Sequence, residues 1–525
     1  MTDASELVAD VVGRLHPIEV ELGRAWWESS THASPDANRR KAELDLARRA
    51  LLSDPDTFAA VRTARTRPDV ERGERRELDL LYDAMVPNQM PADLARRIVD
   101  LETDVEATFT SFRGELDGQP VADNAILDIL RGSDDSGLRA RAWDASKQVG
   151  AAVAGRVRDL ARLRNEAARA VGYRDHFALA LGAGELDEDR LLATLDEVDR
   201  HTATPFQSWK STLDEALAAR FGVSRDELAP WHLDDPFFQD PPVRGSVDLD
   251  DLFRGADLEA LTVRTYDGLG LDVRPVLARS DLYAREAKSQ HAFCIDIDRE
   301  GDVRVLCNVE PSERWMDTML HEFGHGAYNQ GVAPELPWLL RDAAHPLTTE
   351  GVAMFMGRLV RSPEWLARVA EVPASDLERL EPRLAEARRA ALLVFARWVL
   401  VVTHFERRLY GDPDADLNRV WWDLVERYQL VRRPPGRDEP DWAAKIHLAV
   451  VPVYYQNYLY GELFASQLEA TLVARAGGVV DRPEAGRFLA QQVFAPGASR
   501  RWDHLVEDAT GEPLRAAHLA AQLAG

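Results

Sequence analysis

The sequence predicts a mostly α-helical fold with one small β element beside a histidine-bearing helix. Three observations carry that expectation. Long segments rich in Ala, Leu, Arg and Glu place apolar residues at a 3.6-residue period, at 39–52, 91–113, 137–171, 375–409 and 454–475. A single stretch breaks the pattern, HAFCIDIDREGDVRVLCNV (291–309), where two β-prone runs flank a turn containing Gly301. Soon after it comes WMDTMLHEFGHGAYNQGV (315–332), in which Trp315, Met319 and Phe323 form an apolar stripe at helical spacing.

The bulk properties bound the reading. A chain of 525 residues can bury a large core, and its length allows two to four lobes. The formal net charge of -25 repels a phosphate backbone, so nucleic acid is not an expected partner. The stretch MTDASELVADVVGRLHPIEVELGRAWW shows no basic segment followed by an apolar one, so no signal peptide is expected. No apolar run approaches the roughly 18 residues that span a bilayer, so no membrane association is expected, and the expected compartment is the cytoplasm. Two cysteines fit a reducing compartment and leave no room for a four-cysteine metal site.

The elements follow in order. The helical N-terminal part extends to about residue 280. Within it, LAPWHLDDPFFQDPPVRGSVD (228–248) is rich in Pro and Asp and reads as a long ordered loop, because Trp231, Phe237 and Phe238 need burial. In the β element, a loop centred on Glu300–Gly301 places Cys294 opposite Cys307 as buried neighbours, with a disulfide or redox role as the alternative. An isolated hairpin is marginal, so it belongs to a small sheet beside the following helix, whose first turn Pro311 suits. In HPLTTEGVAMFMGRLVRSPEWL (345–366), Thr348 or Thr349 caps a helix that buries Val352, Phe355, Met356 and Leu359 and stops at Ser362–Pro363.

The chemistry lies in HEFGH. Two histidines four residues apart on a helix project from one face and can share one ion, so His321 and His325 are candidate ligands. Glu322 can face an open coordination position and take a proton from water there. The bare five-residue pattern arises by chance in about 2–3% of chains of this length. A catalytic zinc needs a third protein ligand, and Glu350 reaches the pair if the two helices pack antiparallel. The alternative for a glutamate near a helix start is a partner for the helix dipole. Asp317, one turn before His321, is a candidate to hold a histidine tautomer. An oxyanion needs a further donor, and WAAKIHLAVVPVYYQNYLYGELFASQL (442–468) offers Tyr455 and Tyr458 on one helix face, preceded by Lys445 and His447. Core packing is the competing reading for such tyrosines.

HEFGH, the glutamate that follows it and the late Y-x-x-Y helix together resemble the gluzincin peptidases of the angiotensin-converting enzyme and thimet oligopeptidase group, and more distantly carboxypeptidase Taq. QHAFCIDIDREGDVRVLC is similar to the edge strand preceding the zinc helix in the converting enzyme. ELGRAWWESS (21–30) resembles its lid helices, and RNEAARAVGYRDHFALAL (164–181) resembles a segment common to the oligopeptidases. The resemblance implies one zinc ion per chain on His321, His325 and Glu350, with Glu322 as general base and then acid. It implies Tyr458 as the oxyanion donor, Tyr455 as a substrate contact, and His291 and Ala292 as the edge pairing with the substrate backbone. His447 and Lys445 match a K-x-H pair in which the histidine contacts the scissile region and the lysine binds the substrate's C-terminal carboxylate.

The implied fold is two helical halves, about 1–280 and 281–525 of a single metallopeptidase domain, around a deep channel admitting short unfolded peptides. Asn457 stands where the converting enzyme binds chloride through an arginine, so comparable chloride activation is not expected. The glutamine that assists the family's lysine has no visible counterpart in this sequence. The expected function is zinc-dependent hydrolysis of short peptides, as an oligopeptidase or a peptidyl-dipeptidase. The alternatives are a zinc-bearing peptide-binding scaffold without catalysis, against which Glu322 and both tyrosines speak, and a peptidase dedicated to one precursor.

Overall fold

Helices dominate because the sequence supplies both their periodic apolar faces and their start signals. The structure, a computed structural model, describes residues 3–32, 34–242 and 249–523. All five helices expected from periodicity are present, as Pro35–Leu52, Ala92–Ser111, Ser136–Ala170, Ala374–Gly411 and Tyr455–Ala476. Several helices begin on a side chain that accepts a first-turn N–H, among them those capped by Ser34, Asp135, Asp175, Asp187 and Ser312. Each such cap contributes about 0.5–2 kcal/mol relative to alanine. Among the described residues, no helix is long and apolar enough to cross a membrane.

The chain folds into two compact units, each assembled from separated stretches. The first takes residues 1–89, 248–384 and 460–519, and the second takes 90–247, 385–459 and 520–525. In the first unit the core lies along the helix Glu313–Gly331. Met316, Met319, Leu320, Phe323 and Tyr328 are buried from it, and Val352, Phe355 and Met356 from the helix Pro346–Gly357. Each side chain of this size contributes about 1.5–3 kcal/mol by leaving water.

The β element is an antiparallel hairpin, Phe293–Asp296 with Val303–Leu306. Val303–Leu306 is flanked on its other side by Asp281, which donates to the Val305 carbonyl and accepts from the Cys307 N–H, both at 2.9 Å. Among the described residues, no strand pairs with the free edge of Phe293–Asp296. The register corrects the expectation, because Cys294 pairs with Val305 and not with Cys307. The turn is centred one residue earlier, since Arg299 and Gly301 both take positive φ, 58° and 110°. Asp298 fixes it by accepting the N–H groups of Glu300 and Asp302 at 2.8 and 3.0 Å, and Asp296 accepts that of Arg299 at 2.9 Å. Both cysteines are free thiols.

Two other boundaries shift. The helix Pro346–Gly357 is capped by His345, whose Nδ1 accepts the Leu347 N–H at 3.0 Å, instead of by Thr348 or Thr349. Thr348 bonds back to the His345 carbonyl from inside the first turn at 2.8 Å. Ser362 caps a further short helix, Pro363–Arg368. In the second unit the buried Arg139 guanidinium donates to the carbonyls of Trp231 and Leu233, at 2.7 and 3.1 Å, and so shapes the loop after residue 228. Phe238 is buried there, whereas Trp231 and Phe237 are half-buried. Residues 243–248 of that stretch lie outside the described residues. A small hairpin, Gly114–Leu116 with Gln119–Val121, gave no signal because three-residue strands are too short to show alternation.

Candidate metal centre

The helix Pro346–Gly357 runs antiparallel to the helix Glu313–Gly331, with Gly324 against Ala353 and Gly357 against Asp317. A Cβ on Gly324 would sit 2.9 Å from the Cα of Ala353, so glycine is what lets the backbones approach this closely. That approach brings Glu350 to the histidine pair. Its Oε2 lies 3.7 Å from His321 Nε2 and 3.9 Å from His325 Nε2. The ligand atoms of these three residues all lie within 4.8 Å of one another, and among the described residues no other such group occurs. Zinc bonds of about 2.0–2.1 Å in a tetrahedron place ligand atoms roughly 3.4 Å apart, so a small contraction fits the set around one ion.

Electrostatics point the same way. Burial holds His321 down at about 4, and burial with the charge of His321 holds His325 at about 3. Burial lifts Glu350 to about 7, and burial with the charge of Glu350 lifts Glu322 to about 8. Among the described residues no Lys or Arg offsets either carboxylate. Neutral imidazoles beside two uncompensated carboxylates are what a divalent cation balances. Two imidazole nitrogens and a carboxylate oxygen are a donor set suited to zinc.

The donors are braced from behind. His325 Nδ1 lies 2.6 Å from Thr349 Oγ1, a partner that sequence reasoning had considered only as a helix cap. A Cβ on Gly351 would sit 2.6 Å from the Phe464 ring, and one on Gly461 would sit 3.2 Å from the Glu350 Cβ. The helix Tyr455–Ala476 therefore packs at Gly461 directly on the glutamate. Asp317 makes no hydrogen bond to His321 among the described residues. Burial lifts its carboxyl to about 6, against the charge of Arg361.

These donors line a cleft of about 680 Å³ together with Ala292 and the strand Phe293–Asp296. His291 is exposed, just before that strand. The helix Ala4–His32 contributes Glu19, Gly23 and the half-exposed Trp26 to the lining. It is fastened at its end, where Ser289 donates to Ser30 and Arg285 to Thr31, both at 2.8 Å, and where Trp27 meets Phe293 edge-on.

In the second unit, the lysine, the histidine and the two tyrosines singled out from the sequence come together. The Tyr455 ring is 5.2 Å from His447 and 5.7 Å from Tyr458. Lys445 Nζ lies 5.6 Å from the Tyr455 ring and donates to Gln239 Oε1 at 2.8 Å. Gln239 was not identified from the sequence, because it lies 206 residues from Lys445 and nothing local in PFFQDPP marks it. Burial, with the charge of Lys445, holds His447 at about 4, and burial raises the Tyr455 phenol. A cavity of about 760 Å³ elsewhere in this unit holds Lys210 with Asp214 and Arg432 with Asp226, charges that already pair with each other.

Residues 284–521 match the family described as angiotensin-converting enzyme, Peptidase_M2. An angiotensin-converting enzyme-related protein of Drosophila melanogaster is 24% identical over 242 residues, 42% of this chain and 38% of that protein. The angiotensin-converting enzyme of Rattus norvegicus is 28% identical over 243 residues, 42% of this chain and 18% of the rat protein. That of Bos taurus is 24% identical over 237 residues, with the same two shares. The chain thus spans well under half the length of these relatives. Residues 284–521 of this chain are thus similar to the angiotensin-converting enzyme family.

Proposed function

We propose that the protein hydrolyses peptide bonds in short unfolded peptides, with one zinc ion held by His321, His325 and Glu350. The observation that carries this reading is the convergence of those donors with Glu322 in a cleft beside a strand edge that, among the described residues, no other strand pairs. When bound, zinc supplies Lewis acidity toward the scissile carbonyl and toward a water. Glu322 accepts the proton of the attacking water at its carboxylate and passes it to the leaving amine. Positive charge at the donors lowers its raised pKa toward the range a general base needs. Backbone groups at His291 and Ala292 receive an extended peptide as an added strand. Tyr458 donates to the oxyanion, with His447 assisting and Tyr455 against the substrate. The sparse, free cysteines fit action in the cytoplasm.

Lys445 favours a free C-terminus on the substrate. Its ammonium is largely buried, bonds to Gln239, and has no carboxylate at ion-pair distance among the described residues. Asp235 and Asp240 act on this ammonium only from beyond contact, and a terminal carboxylate would supply an anion at hydrogen-bond distance. The reading is therefore a peptidyl-dipeptidase in preference to an internal-cleaving oligopeptidase. Removing the metal with a chelator and restoring it tests the core of the proposal. Hydrolysis should vanish and return with zinc, and activity indifferent to chelation would contradict it.

A further inference from the structure

We propose that Glu406 is a positioning residue that clamps a strained turn at Val453 and so fixes the entry of the helix carrying Tyr455 and Tyr458. The inference rests on the reading of Tyr458 as an oxyanion donor. Val453 takes φ 55°, in the left-handed region. For a β-branched residue this is a genuine outlier, and such strain persists only where the surroundings over-determine it.

Here they do. The Val453 N–H donates to Glu406 Oε1 at 2.6 Å, and its carbonyl accepts from Gln456 Nε2 at 2.6 Å. Both polar groups of the strained peptide are thus taken by side chains that are themselves 1% exposed. The other end of the same stretch is tied as well. Arg164 donates to the Ala449 carbonyl, to Glu102 and to the Tyr410 hydroxyl, the last at 3.1 Å. Tyr410 lies one turn beyond Glu406 on the helix Ala374–Gly411. The chain between His447 and Tyr455 is therefore held at Ala449 and at Val453 by two long helices.

A return of Val453 to right-handed or extended backbone would redirect the chain exactly where the tyrosine helix begins. Among the described residues Glu406 Oε2 has no partner, and burial raises the carboxyl to about 8, so the neutral amide of glutamine is the conservative replacement. The clamp acts through shape and one hydrogen bond.

The test compares Glu406→Gln, Glu406→Ala, Val453→Gly and the double variant Glu406→Ala/Val453→Gly in the zinc-loaded full chain. Amide hydrogen exchange is read over 447–458, and kcat and KM are read on a cleaved peptide. Glu406→Ala should speed exchange at 451–457 and lower kcat about tenfold, with KM little changed. Glu406→Gln should behave as wild type. Glycine adopts the left-handed turn without strain, so Val453→Gly should recover most of the loss in the double variant. A purely structural Glu406 would give no such rescue. Wild-type exchange and kcat in Glu406→Ala, or a double variant no better than Glu406→Ala, would overturn the proposal. If Glu406→Ala fails to fold, the double variant decides, since the clamp requires glycine at 453 to restore folding and turnover. If wild type cleaves no peptide, the functional reading fails, and hydrogen exchange alone still decides the clamp.

Discussion

The Nδ1 of His325 lies 2.6 Å from the hydroxyl of Thr349, the residue immediately before the third metal donor. If His325 Nε2 binds an ion, Nδ1 would carry the proton and donate to Thr349. One residue would thus set the tautomer of a candidate histidine donor, and its neighbour would supply the carboxylate. Thr349→Val keeps the shape and removes the acceptor. Zinc affinity, measured by competition with a chromophoric chelator, should fall about 10- to 100-fold. Unchanged affinity would assign Thr349 to packing.

Glu322, which is buried, and Glu350, which is half-buried, are two carboxylates with different predicted roles. Glu322→Gln should bind zinc as wild type does and lose turnover by about 10³-fold or more. Glu350→Ala should lose the metal itself, read as zinc content after dialysis. Near-normal turnover in Glu322→Gln would remove it from proton transfer.

Tyr458→Phe removes one hydroxyl from a helix whose next turn packs on Glu350 through Gly461. If that hydroxyl serves the oxyanion, kcat falls about 10²-fold with little change in KM. An unchanged kcat would return Tyr458 to core packing.

The clustering of the candidate metal donors was legible in the sequence because their geometry is mostly local. Two histidines one turn apart share a face of any helix, and Glu350 needed only one antiparallel pairing, in which Gly324 and Gly357 lie at the contact. The long helices were legible for the same reason. Gln239 was not, since its place beside Lys445 depends on a loop reached across 206 residues. The hairpin register was misjudged because two aspartates, Asp296 and Asp298, stabilise a positive φ at Arg299, where the glycine alone was read as the turn signal. The cap at His345 was missed because histidine is an unusual capping residue, with Pro346 directly after it. The discontinuous make-up of the two units leaves no mark in the sequence.

The lysine and its glutamine make a specificity prediction. Lys445→Met should lower kcat/KM on peptides with a free C-terminus by about 10- to 100-fold, the size of a charged hydrogen bond. Gln239→Leu should do so more weakly. Amidated peptides should respond to neither change, and equal losses on both peptide types would contradict a carboxylate anchor.

Stability should carry the signature of Glu406. Its carboxyl is raised from 4.5 to about 8, so between those values the folded state holds a proton that the unfolded chain releases. Its contribution is full below the unfolded value and is lost as pH rises through the folded one. Glu406→Gln has no such titration. The Tm of wild type minus that of Glu406→Gln should therefore decline from about pH 5 to about pH 8, read by thermal melts of the two proteins side by side. A flat difference would mean that Glu406 is ionised in the fold.

The central claim is a zinc-dependent peptide hydrolase that recognises the C-terminus of its substrate. Mass spectrometry of short peptides, each with a free or an amidated C-terminus, incubated with the zinc-loaded protein and with Glu322→Gln, tests it most directly. The account predicts dipeptides released from free C-termini by wild type alone. Internal cuts indifferent to amidation would contradict the carboxylate anchor, and no cleavage by zinc-loaded wild type would contradict the enzyme itself.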